Sequence, residues 1–74
     1  MTGNLALVAA AFGAGICVVG AALGIGRLSS AAMEGTARQP AAGPEIRSQM
    51  LLGAGFIEGA AMLGLLICLI ISRS

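Results

Sequence analysis

Two apolar runs of 22 residues each, 5–26 and 50–71, dominate the chain, and a polar middle separates them. The first run is free of charge, and the second contains a single charged residue, Glu58. As an α-helix, 22 residues rise about 33 Å, enough to cross a hydrocarbon layer of about 30 Å. Past Gly26 the chain turns polar in steps: Arg27, Ser29, Ser30, Glu34, Thr36, Arg38, Gln39. Helix-compatible residues persist to Arg38, so the first helix is predicted to project beyond the membrane. Pro40 disfavours helix at Gln39, and Gly43 with Pro44 marks a turn from which a second helix starts, Pro44 suiting its first turn. The pattern predicts an all-α membrane protein: helix one over about 3–39, a loop over about 40–44 and helix two over about 45–73. The short connection makes the pair an antiparallel transmembrane hairpin.

Small residues in helix one are arranged by face. At about 100° per residue, Ala6, Ala9, Gly13, Cys17, Gly20 and Gly24 align, continued by Ala31 and Gly35. Ala11, Gly15, Ala22, Gly26 and Ser29 align on the opposite face. One small face lets one helix approach closely; two opposed ones let a helix be flanked on both sides by copies of itself, a head-to-tail contact that closes into a homo-oligomeric ring. Gly13, Gly15, Gly20, Ala22, Gly24 and Gly26 are the expected helix-packing positions. The bulkier stripe of Leu7, Val18 and Ile25 is then expected to face helix two. With the loop tip near residues 41–42, Glu58 falls level with Ile25. Arg27 points roughly the other way and is expected to snorkel towards the loop side.

Glu58 is the candidate functional residue. An ionised carboxylate in the middle of a bilayer costs roughly 3 kcal/mol on insertion scales. Carrying a glutamic acid neutral at neutral pH instead costs a similar amount, about 4 to 5 kcal/mol against its ordinary titration near pH 4.3. Because the two costs are comparable, a small change of surroundings tips the group between forms, as a proton carrier requires. The bland alternative is an acid neutralised permanently by a hydrogen bond. A sodium ion would want several oxygen ligands, whereas residues 54–57, 59–62 and Ile25 offer no side-chain oxygen. A proton needs one acceptor, so H⁺ is the expected ion. Gly59 and the neighbouring alanines leave room for the Glu58 side chain to change rotamer.

Composition narrows the class further. The chain has 74 residues, 58% hydrophobic and 9% charged, with 12 glycines and a mean hydropathy of +1.01. That is too apolar and too small for a soluble domain with a covered core. A net charge of +1 without lysine gives no footprint for nucleic acid. Cys17 and Cys68, with no histidine, fit neither a disulfide scaffold nor a zinc shell and read as packing thiols; no metal or cofactor is expected. The apolar amino terminus lacks a positive leading region and is read as retained. Arg38 and Arg47 flank the loop, against Arg73 near one terminus, which places the loop in the cytoplasm and both termini on the other side.

Taken together these features resemble the rotor-ring proteolipid of F-type ATP synthase, its c-type subunit, over essentially the whole chain. Residues 20–26 (GAALGIG) resemble its glycine-rich helix-one motif, Arg38-Gln39-Pro40 its loop signature, and Gly55-Phe56-Ile57-Glu58 the segment ending in its essential carboxylate. The resemblance implies a closed ring with helix one inside, and helix two outside against lipid and the a-type stator subunit. Glu58 would release its proton near an arginine of that stator subunit and take up another from the opposite half-channel. Gly24, Ile25, Phe56, Gly59 and Leu63 would surround the proton site. The loop residues Arg38, Gln39 and Pro40 would dock on the gamma and epsilon subunits of the central stalk, turning rotation into ATP synthesis. An energy-transducing membrane, the bacterial inner membrane, is the implied location. Sodium-carrying members usually have glutamine where Ile25 stands and a hydroxyl residue where Gly59 stands, both absent here. Some proton-carrying members have tyrosine where Leu63 stands, and Arg27 replaces a usually neutral residue.

Other readings predict different behaviour. A pore-forming, holin-like hairpin would tolerate Glu58→Gln. An intramembrane enzyme lacks a second catalytic group at the depth of Glu58. A vacuolar-type proteolipid is usually about twice as long.

Overall fold

The computed structural model describes residues 2–73, without the side chain of Thr2. Helix α1 spans Thr2–Arg38 and helix α2 spans Gly43–Arg73, joined through Gln39 and a single 3₁₀ turn, Pro40–Ala42. The two helices lie side by side in a rod of 58 × 14 × 7 Å. Each contains an 18-residue window with a mean hydropathy of 2.3.

The turn follows from local chemistry. Gln39 precedes a proline and is extended, with φ −133° and ψ 78°. Its N–H still donates to the Gly35 carbonyl at 2.9 Å, while its own carbonyl accepts from the Ala42 N–H at 2.9 Å. Gly43 is expected as a turn residue but is already helical, with φ −50° and ψ −48°. The space beside it is tight: a Cβ there would lie 3.3 Å from Thr36 Cγ2. Pro44 sits in the first turn of α2, where its missing N–H has no intrahelical partner to lose.

The seam between the helices is a series of knobs seated over glycines. A Cβ at Gly13 would meet Cys68 Sγ at 2.9 Å, and one at Gly64 would meet Cys17 Sγ at 2.6 Å. Gly24 receives Ile57 at 3.4 Å, Gly35 receives Ile46 at 3.3 Å, and Gly53 receives Leu28 at 3.0 Å. In all five couples the two residue numbers add to 81, so one axial register holds along the hairpin.

This seam corrects the expected orientation of α1. Leu7 and Val18 are 53% and 56% exposed, and only Ile25 of that stripe is half-buried. Gly13, Cys17, Gly24 and Gly35, assigned to contacts between copies, instead face α2, while Ala9, Gly20 and Ala31 from the same face are exposed or face open space. The reason is distance: glycines bring the backbones closer than a stripe of valine and leucine allows. Gly15, Gly20 and Gly26 face open space, and Ala22 is exposed. Among the described residues only Ala10 is buried, so one hairpin leaves most of its large apolar side chains uncovered.

Candidate functional site

Helix geometry sets the position of Glu58. Ile57 is pinned over Gly24, so the residues before and after it turn about 100° to either flank of the seam. Glu58 takes one flank and Phe56 the other, and both are exposed in the single hairpin. The Glu58 flank carries a groove of about 410 Å³ whose lining includes Val18, Ala22, Ile25 and Gly26 of α1 and Met62 and Leu65 of α2. Glu58 is the only lining residue with a polar side chain. Among the described residues it makes no hydrogen bond and no ion pair. The arrangement presents one carboxyl to an apolar groove, with no second side-chain oxygen to help hold a cation.

Of the expected surroundings, Ile25 shares this groove and Gly24 lies just behind it under Ile57. Gly59 has nothing within 4 Å of where a Cβ would stand, so the space beside Glu58 is open. Phe56 and Leu63 do not join the groove; Leu63 lines a separate apolar depression of about 530 Å³ with Gly59, Met62 and Leu66. By the register of the seam Glu58 lies level with Leu23, about 3 Å along the axis from the expected level of Ile25. Ile25 reaches the groove because it stands on the flank that Glu58 occupies. Met62 and Leu65 join the groove without being among the expected site residues, although their spacing from Glu58 by about one and two helical turns carries the signal.

At the other end of the rod, Arg38, Gln39 and Pro40 are exposed. Arg38 Nη2 stands 4.0 Å from Glu34 Oε2. Thr36 Oγ1 donates to the Ala32 carbonyl at 2.9 Å, which satisfies a half-buried hydroxyl within its own helix. Arg27 is exposed and forms no ion pair within the hairpin, with Glu58 or any other described residue. Cys17 and Cys68 are free thiols seated over Gly64 and Gly13. No group of three potential metal ligands occurs among the described residues.

Residues 8–71 match the family model of the ATP synthase C subunit. The corresponding ATP synthase protein of Bacteroides thetaiotaomicron is 50% identical over 84% of this chain and 73% of its own length. Those of Bifidobacterium adolescentis and Gloeobacter violaceus are 39% and 37% identical, each over at least 95% of this chain and at least 87% of its own. With two helices long and apolar enough to cross a membrane and the match running through both, the chain is an integral membrane protein and belongs to the ATP synthase C-subunit family.

Proposed function

We propose that this chain is the proton-carrying rotor component of an F-type ATP synthase, and that reversible protonation of Glu58 drives rotation of a closed ring of its copies. The carrying observation is the lone Glu58 carboxyl in an apolar groove halfway along the hairpin, without a hydrogen bond or counter-charge of its own. In lipid such a group is favoured neutral; beside a fixed cation it is favoured ionised. An arginine on the a-type stator subunit would supply that cation, and one proton would be exchanged per pass. A membrane potential is worth about 2.3 kcal/mol per charge per 100 mV, which supplies the drive.

The open space at Gly59 supports a carboxyl that swings between a closed and an exposed rotamer. The absence of other side-chain oxygens in the groove supports H⁺ as the ion. The uncovered apolar flanks and the open faces of Gly15, Gly20 and Gly26 support packing against further copies and lipid. The exposed Arg38-Gln39-Pro40 segment is the surface offered to the central stalk, with the loop in the cytoplasm. Glu58→Gln tests the reading: it should leave a ring of unchanged size and abolish proton-driven ATP synthesis and ATP-driven proton pumping. Normal turnover in that variant would overturn it.

A further inference from the structure

Two charged side chains that form no ion pair among the described residues stand near the loop end of α2, one on either side of Ile46 in sequence. Ile46 is held in the seam, its Cδ1 3.3 Å from the Cβ position of Gly35. Its two neighbours in sequence, Glu45 and Arg47, therefore turn about 100° to opposite flanks. Both are exposed, and neither has an ion pair among the described residues. Glu45 lines a groove of about 570 Å³ with Leu28, Ala31, Gln49 and Met50, on a flank whose other carboxylate, Glu34, stands on α1 beside Arg38. Ile46 and Ile57 are 11 residues apart, about three whole turns, so Arg47 shares the flank of Glu58, and Glu45 shares the flank of Phe56.

From this pattern we infer that Glu45 of one copy receives Arg47 of the next, and that this couple specifies head-to-tail order between neighbouring hairpins. The inference rests on the ring proposed above and adds the residues that orient its contact. Copies inserted the same way up can meet by like flanks or by unlike flanks. Like flanks set Arg47 against Arg47 and Glu58 against Glu58 on one side, and Glu45 against Glu45 on the other. Unlike flanks set Arg47 within about 3 Å of the height of Glu45, because two residues separate them along the axis. The groove beside Glu45 is apolar apart from Gln49 and Glu45 itself, so the methylene stem of an arginine can lie in it while the guanidinium reaches the carboxylate. Like-flank repulsion and unlike-flank attraction act together, which selects one order over the other.

Crosslinking in membranes tests this, starting from the full chain carrying Cys17→Ala and Cys68→Ala. Glu45→Cys with Arg47→Cys, treated with a bismaleimide about 10 Å long, should give a ladder extending past the dimer, since each copy then carries both halves of the contact. Either cysteine alone should give no ladder. Dimers from Arg47→Cys alone would show like flanks meeting and overturn the inference. Failure of the double variant to crosslink, in a sample whose native mass still corresponds to a ring, would overturn the couple and leave the ring standing. A native mass of a single hairpin would overturn the ring itself. As a second reading, Glu45→Arg and Arg47→Glu should each lower ring yield at low salt, by about 2- to 5-fold per contact, and the double reversal should restore it. No recovery in the double reversal counts against the couple.

Discussion

Glu58 and Glu45 are the same side chain on the same helix, 13 residues apart, in opposite circumstances. Glu45 lies in the first turn of α2, beside backbone N–H groups that have no partner within the helix. It also lies within reach of water at the loop end. Glu58 lies in the body of the helix, where backbone donors are already used, and its groove offers no counter-charge. An acid at the loop end is exposed and free to orient contacts. An acid at mid-span finds no counter-charge in its own groove, and under the function proposed above it would draw its counter-charge from another chain.

The largest effect that distinguishes the two comes from removing each acid. Glu58→Gln should reduce proton-coupled turnover to background in inverted vesicles, whereas Glu45→Gln should leave most of it, with any deficit following ring yield. Comparable losses in both variants would erase the distinction.

A nearly as large effect is expected from the seam that fixes the height of Glu58. Gly64→Ala places a Cβ 2.6 Å from Cys17 Sγ, and overpacking of this kind costs about 1 to 3 kcal/mol. Adding Cys17→Ala removes that sulfur and leaves the nearest atom at 3.9 Å. The single variant should lower the thermal stability of the purified ring and its turnover, and the double variant should recover both.

Changing the ion is a finer test. Ile25→Gln with Gly59→Ser supplies the oxygens that the groove lacks, and should make turnover sodium-sensitive while the parent stays indifferent. The smallest effect belongs to the loop pair: Glu34 and Arg38 are 67% and 81% exposed at 4.0 Å, so Glu34→Gln should shift stability by less than ~0.5 kcal/mol and only at low salt.

Much of the fold is legible in the residue order. The two apolar runs, the proline at position 40 and the isolation of Glu58 define a membrane hairpin with one mid-span acid, because lipid leaves few other ways to satisfy such a chain. The rotation of α1 is not legible. Glycine faces serve equally well between copies or within one hairpin, and only the seating of Ile46, Ile57, Cys68 and their counterparts shows that Gly13, Gly24 and Gly35 serve the hairpin. The two-residue offset in the level of Glu58 has a related origin: the 3₁₀ turn and the early start of α2 at Gly43 move the midpoint of the hairpin towards residue 40. Phe56 and Leu63 stand close to Glu58 in sequence, yet they lie outside its groove, on surfaces that a second hairpin would have to bring to it.

The most direct measurement is carbodiimide labelling of the assembled ring, since that reagent attacks carboxyls in their protonated form. Modification confined to Glu58, declining as the medium is made alkaline and unaffected by sodium, is the predicted result. Labelling spread over Glu34 and Glu45, or protection of Glu58 by sodium, would contradict a lone proton-carrying acid at mid-span.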